Sequence, residues 1–562
     1  MKWDDLTPDQ QKVVTAVEPR VIVFGGAGSG KTTVALWSAR HFLVSPEAQP
    51  WHRVLFLTFS RTAVREIARR AGRTLANVRE RVEIHTFHAF ANRILTAFGR
   101  YAGLGRELPP FRSDAEAKVL GKSTTHLSYD DLLPLALKVI RTPRVRQIVA
   151  QRWPLIVCDE FQDTDNEQWQ LLSDLSAGGA RLLLLADPNQ MIYASFLGDR
   201  GVGLHRVEEA VETADNVIDL GTPSHRDRTN IIPAMAAAVR RREFNHDAVR
   251  AALLGDRIRI YRSIPDDDLL RIVQGEVRSA WEEGSRSIGI FGHSNLSVAD
   301  LSASLFSAGI DHVLVGLPEA HGEALTTMEI ACLYGADRVA VDVVRLRLAV
   351  FLTASVRRNA VPELALALRG ITPLPTRLQQ RMNDATKGLR EAAGEGFEHL
   401  VQTAMQLWPR LGIAAGKRPW NQAARTFGAI AQQVLRRARG AEDFFVELSR
   451  HLSAQRVESF FDSEVGTGHR IQLMNFHQTK GREADVVILV YRATDWFGRE
   501  QEPYPANSRL LYVSLTRARS RNIIILPPSP HCLVAPFGDL ADVRQLHFTG
   551  SQTLATGDVE LP

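Results

Sequence analysis

The chain has 562 residues, 45% hydrophobic and 23% charged, with a net charge of +5 at neutral pH. That length exceeds what one growing hydrophobic core serves, so two or more packed domains are expected, and the composition excludes a mainly disordered chain. No apolar run approaches the roughly 18–20 residues that span a bilayer, the three cysteines (Cys158, Cys332, Cys532) lack metal-ligand spacing, and the basic excess is too small to name a polyanion partner by itself.

Met1 to Gln10 is polar and acidic, without the apolar stretch of a secretion signal. With the unpaired cysteines, this predicts a reducing, cytoplasmic setting and no membrane partner. Val21 to Phe24 then reads as a buried strand, followed by a glycine-rich turn and a helical pattern from Lys31. Strand-like runs follow at Val54 to Thr58, Val82 to His85, Leu155 to Asp159 and Leu182 to Ala186. A second series lies at Ile258 to Tyr261, Ile288 to Phe291, Val313 to Val315, Ile471 to Met474, Val486 to Val490 and Asn522 to Leu526. Short apolar runs alternating with helices predict an α/β protein with two mostly parallel sheets, covered on both faces.

Two segments differ in texture. Residues 101–145 are helical and punctuated by prolines, and residues 345–460 are rich in Ala, Arg, Leu and Gln with no strand signal. Both read as helical insertions. The expected organisation is therefore 1–100 with 146–254 as a first core, 255–344 with 461–548 as a second core, and 549–562 as a tail.

The segment Gly25-Gly26-Ala27-Gly28-Ser29-Gly30-Lys31-Thr32 fits G-x-x-x-x-G-K-[ST], set between a strand and a helix. Glycines let backbone N–H groups turn toward phosphates, and the helix N-terminus adds positive potential. Lys31 would reach the β- and γ-phosphates of a nucleotide, while the Thr32 hydroxyl could ligate Mg²⁺; Thr33 follows directly. The run Leu155 to Cys158 delivers two adjacent carboxylates, Asp159 and Glu160, to a strand end. Asp159 is expected to hold the metal, and Glu160 to polarise the attacking water.

Further motifs then stand in a fixed order, and together they resemble those of superfamily-1 helicases of the UvrD/Rep/PcrA family. Leu6-Thr7-Pro8-Asp9-Gln10 is similar to the family's Q motif, Thr58-Phe59-Ser60-Arg61 to the motif after its second strand, and Thr86-Phe87-His88-Ala89-Phe90 to its TFHSF segment. Asp159-Glu160-Phe161-Gln162-Asp163 matches DExxD, and Ala186-Asp187-Pro188-Asn189-Gln190-Met191-Ile192-Tyr193 resembles GDPDQSIY. Ser224-His225-Arg226, Asn475-Phe476-His477-Gln478-Thr479-Lys480-Gly481-Arg482-Glu483 and Tyr512-Val513-Ser514-Leu515-Thr516-Arg517-Ala518 complete the series.

The resemblance implies two RecA-like cores with ATP in the cleft between them. Gln10 would read the adenine, His225 would stack on it and Glu483 would bind the ribose. Gln190, Arg226 and Arg517 would meet the γ-phosphate, with Arg517 as an arginine finger at the end of a strand-like run. Single-stranded DNA, with a duplex junction as a further contact, would lie across both cores. Its contacts would be Phe59, Ser60, Thr86, Phe87, His88, Tyr193, Phe196 and His477, with base stacking as a sequence-tolerant grip. The expected activity is an ATP-dependent translocase or helicase moving 3′ to 5′.

The alternative reading is an RNA-directed or partner-dependent motor, or a nucleotide-dependent switch or scaffold with little unwinding. The sequence departs from the family at Thr33 and His225, where Arg and Tyr are usual, and its aromatic after Tyr193 is displaced to Phe196. The inserted segments look short and the chain after Arg519 cannot hold an appended nuclease. A separate nuclease or other protein is therefore an expected partner.

Overall fold

The computed structural model describes residues 3–59, 61–105, 114–120, 127, 129–194, 198–221, 229–314, 319–356, 361–460 and 471–540. Among these, two six-stranded sheets form the framework, each parallel throughout. The first comprises β1 (Arg20–Phe24), β2 (Val54–Thr58), β3 (Val82–Thr86), β4 (Leu155–Cys158), β5 (Arg181–Ala186) and β6 (Asn216–Asp219). They lie in the order β3-β2-β4-β5-β1-β6.

The apolar runs are continuous because both faces are covered. In β2, Val54 and Phe56 enter one hydrophobic cluster while Leu55 and Leu57 enter the other. Period-two geometry sends alternate side chains to opposite helical layers. β6 had no strand signal of its own; as an edge strand with only Ile218 buried, it needs little apolar sequence.

The second sheet comprises β7 (Ile258–Tyr261), β8 (Ile288–Gly292), β9 (Val313–Leu314), β10 (Ile471–Asn475), β11 (Ala484–Val490) and β12 (Ala518–Ile525), in the order β7-β12-β11-β8-β10-β9. The helices Ile231–Arg240 and Asp247–Leu254 pack in the cluster formed by one face of this sheet, with Ile232, Met235 and Val249 beside Val487, Leu489 and Ile524. The junction expected at residue 254 thus falls after two helices that pack on the second sheet.

The other face merges with a helical body that starts at helix Glu319–Gly335, ahead of the expected 345. Its centre is an aromatic triad. Phe351, Trp408 and Trp420 lie with ring centroids 4.7, 5.1 and 5.8 Å apart. Each indole nitrogen is satisfied internally, Trp408 donating to the Ala415 carbonyl at 3.0 Å and Trp420 to Met405 at 2.8 Å.

The described helices within residues 101–145 divide between these bodies. Helix Leu132–Ile140 covers the first sheet beside helix Phe87–Phe98. Helix Asp114–Leu120 instead docks on the helical body, where Arg369 donates to the Val119 carbonyl at 2.8 Å and Glu319 accepts from the Ala115 N–H at 2.9 Å. No helix among the described residues is long and apolar enough to cross a membrane.

Trp420 has no exposed surface, so Trp420→Ala should leave a cavity costing about 3–5 kcal/mol in the helical body. A lowered denaturant midpoint should report it, with Trp420→Phe recovering part of the loss; an unshifted midpoint would contradict the packing.

Candidate functional site

The sheet order sets the site. β4, β5 and β1 are neighbours, so the segments leaving their carboxyl ends converge in one crevice. After β1 comes the glycine-rich loop, in which Gly28 and Gly30 take φ values of +84° and +93°. Side chains rarely adopt that region, and Gly30 lets the chain swing directly into helix Lys31–Val44.

Lys31 Nζ donates to the Gly25 and Gly26 carbonyls at 2.5 and 3.1 Å and lies 3.9 Å from Asp187 Oδ2. Gln10 is held at both ends of its amide. Its oxygen accepts from the Thr7 N–H at 3.0 Å within a capping box, and its nitrogen donates to the Ser29 carbonyl at 3.1 Å. It therefore buttresses the loop from helix Pro8–Thr15. Ala27, Ser29 and Thr33 line the same turn and first helical residues.

After β4, Asp159 and Glu160 take different environments. Asp159 Oδ2 accepts from the Thr32 hydroxyl at 3.4 Å. Burial and the adjacent Glu160 charge push its carboxyl up to about 6, against the pull of Lys31. Glu160 sits at φ +58°, a left-handed conformation that costs a Cβ-bearing residue about 1–2 kcal/mol. Burial would raise its carboxyl too, but Lys480, Lys31 and the Gln162 amide, which donates to it at 2.6 Å, together hold it near 2. One carboxylate is thus proton-sensitive beside a hydroxyl, while the other stays ionised.

After β5, Asp187 caps the short turn Pro188–Gln190 and accepts from Gln190 Nε2 at 2.7 Å. Gln190 Oε1 accepts from Arg517 at 3.0 Å. Arg517 comes from the second core, follows helix Asn507–Leu515 and is almost fully buried, its Nε donating to the Val513 carbonyl at 2.9 Å. The run before Arg517 is therefore a helix, not the expected strand; its apolar residues are buried in the layer over the second sheet. Tyr512, on the same helix, accepts the Ala27 N–H at 3.2 Å, so the two cores meet at the loop itself.

Lys480 was legible only as part of a motif, with no role attached. It leaves the 3₁₀ turn after β10, and its ammonium is buried against the Asp163 carboxylate. It also donates to the Gln190 carbonyl at 2.6 Å and lies 3.5 Å from Glu160 Oε2. Burial alone would favour the neutral amine, but Asp163 and Glu160 raise its proton affinity. Asp163 itself is pushed up by burial, against that attraction.

Glu483 pairs with Arg519 at 3.2 Å and lies 3.9 Å from Arg70, so cations already flank the carboxylate expected to meet a ribose. His225, Arg226, Ser60 and Phe196 lie outside the described residues.

Among the expected strand contacts, Phe59 and Tyr193 come together, their centroids 5.0 Å apart at the ends of different first-core segments. The Tyr193 hydroxyl donates to the His477 carbonyl at 3.0 Å, and Lys480 lies 5.7 Å from its ring. His477 is mostly buried, which depresses its imidazole to about 4. Thr86 caps helix Phe87–Phe98 by accepting the Ala89 N–H at 3.2 Å, and His88 is half-buried on its first turn. Phe87 is a correction: its ring is only 2% exposed, inside the first core, so it cannot stack on a base. A strand end predicts an accessible aromatic only when no helix immediately buries it.

Comparison with known proteins agrees with this geometry. A family model described as an AAA domain matches residues 10–196. The chain is 23% identical over 378 residues to the ATP-dependent DNA helicase PcrA of Leuconostoc citreum, covering 55% of this chain and 49% of that protein. It is 21% identical over 380 residues to DNA helicase II of Escherichia coli (strain K12), covering 56% and 52%. A shorter match, 38% identical over 130 residues, is to the RecBCD enzyme subunit RecB of Mycolicibacterium smegmatis, covering 22% and 11%. The chain spans about half the length of the curated helicases it matches.

Lys480→Ala would leave Asp163 buried without its cation and remove one of the cations that hold Glu160 ionised. Loss of one partner from a buried pair costs about 3–5 kcal/mol, so the thermal midpoint should fall markedly. An unchanged midpoint would mean that the inter-core pair contributes nothing.

Proposed function

We propose, from the premise that this chain belongs to the UvrD/PcrA-like branch of superfamily 1, that it hydrolyses ATP to drive itself along single-stranded DNA as a translocase or helicase. The observation that carries this reading is the contact of Arg517, from the second core, with Gln190, on the first-core turn beside the phosphate loop. A γ-phosphate placed there would be shared by groups from both cores. Its charge would draw them together, and its loss on hydrolysis would release them.

In this reading Lys31 and the N–H groups from Gly25 to Thr33 hold the phosphates. Glu160, kept ionised, polarises the attacking water, and Gln190 places it. Arg517 neutralises charge as it develops, with Arg226 as the further cation that the family resemblance implies. Thr32 and Asp159 suit Mg²⁺, which takes hard oxygen ligands and relies on substrate phosphates for others. Bound there, the ion would screen the phosphate charge. Gln10, His225 and Glu483 would set the base and ribose.

The strand would lie over Phe59, Ser60, Thr86, His88, Tyr193, Phe196 and His477, and movement from 3′ to 5′ is part of the proposal. The match to a protein named as a subunit of a larger enzyme supports a partner-dependent motor, with a separate nuclease as one candidate.

Purified protein should hydrolyse ATP faster with single-stranded DNA than without it. Glu160→Gln should cut that rate by about 10²–10⁴-fold while nucleotide still binds. Hydrolysis without any response to DNA would favour the switch reading instead.

The rate should also fall as pH drops through about 6, because a proton on Asp159 competes with the cation. Raising Mg²⁺ should move that acid limb to lower pH. A limb indifferent to Mg²⁺ would remove Asp159 from the metal site.

A further inference from the structure

We propose that Trp496 is a base-stacking platform for single-stranded nucleic acid on the second core, the counterpart of Phe59 and Tyr193 on the first. This rests on the motor reading above and adds a contact which that reading does not contain.

Trp496 is 64% exposed, although both neighbours, Asp495 and Phe497, are buried. The loop that carries it is pinned residue by residue. The Asp495 carboxylate accepts from the Arg492 N–H at 2.9 Å, His293 Nε2 lies 2.7 Å from the Trp496 carbonyl, and Asn507 donates to the Phe497 carbonyl at 2.7 Å. The His293 ring packs on Phe497 at 4.2 Å. A loop so anchored holds a large indole in water, against the usual tendency of tryptophan to be mostly covered. An aromatic held rigidly in place binds a flat ligand with little ordering cost.

Its position points to the ligand. The loop follows β11, which lies between β12 and β8, with β10 beyond β8. His293 follows β8, and Phe476 and His477 follow β10. Contacts run without a break from the first core to this loop: Phe59 to Tyr193 at 5.0 Å, the Tyr193 hydroxyl to the His477 carbonyl at 3.0 Å, Phe476 to His293 at 6.4 Å, and His293 to Trp496. These contacts tie the loop to the turn that meets Tyr193, and on this second-core side Trp496 offers an exposed ring. On the same loop Thr494 and Arg499 are exposed, so the ring stands alone among polar residues, a setting that suits a base better than an apolar protein surface.

The test compares wild type, Trp496→Ala and Trp496→Phe for binding to a labelled oligothymidylate and to the same oligomer with abasic sites, by fluorescence anisotropy. Stacking predicts that Trp496→Ala binds the normal oligomer about tenfold more weakly, and that it loses much of the preference for bases over abasic sites. Trp496→Phe should recover most of both. ATP hydrolysis without DNA and the thermal midpoint should match wild type, since the indole is 64% exposed and its ring contact is edge-on to His531, at 6.5 Å, rather than to a residue placed at the nucleotide.

Equal weakening on both oligomers, or no weakening, overturns the platform while leaving the motor reading intact. If wild type binds neither oligomer and shows no DNA-stimulated hydrolysis, the motor reading fails, and the platform with it.

Discussion

A lysine carried by the second core is buried among carboxylates of the first, and the geometry of the crevice depends on that pairing. Lys480 touches Asp163, lies near Glu160 and bonds to the Gln190 carbonyl. Each carboxylate is costly to bury alone, and the ammonium offsets that cost only while the two cores are closed against each other. The pair therefore ties the protonation and position of the Glu160 carboxylate to the relative placement of the cores. Arg517 on Gln190 and Tyr512 on the Ala27 N–H add two further links across the same boundary.

The same lysine stands beside the ring of Tyr193, whose hydroxyl is held by the His477 carbonyl. One short turn, Phe476–Thr479, thus sits between the residues proposed for hydrolysis and those proposed for the strand. In the proposed motor, a change of state at the nucleotide would need only to shift this turn to reach the aromatic pair. No long relay is required, because both sites are built at carboxyl ends of parallel strands facing a common cleft.

The environments of Asp159 and Glu160 show how the fold separates two chemically similar neighbours. The carboxylate beside Thr32 keeps a raised proton affinity, suited to exchanging a proton for a cation. The other is kept ionised by cations, two of which, Lys480 and Arg517, arrive from the second core. Adjacent positions in sequence differ in chemistry because the chain turns through the left-handed region at Glu160 and sends the side chains to different partners.

The α/β class, eleven of the twelve described strands, the glycine-rich loop and the carboxylate pair were all legible in the sequence. Their signals are local: unbroken apolar runs, glycines at fixed offsets, and acids at a strand end. The edge strand Asn216–Asp219 carries no such run and was not. The helical run before Arg517 read as a strand because its apolar residues are buried on nearly every side, which erases the helical period.

What only the tertiary structure decided was which side chains meet. Burial of Phe87, the exposure of Trp496, the pairing of Lys480 with Asp163 across 317 positions, and the docking of helices 231–254 on the second sheet all arise from contacts distant in sequence. Local pattern sets the kind of element a segment forms. Solvent exposure and charge pairing belong to the packed whole, because they depend on what a distant part of the chain brings to the same place.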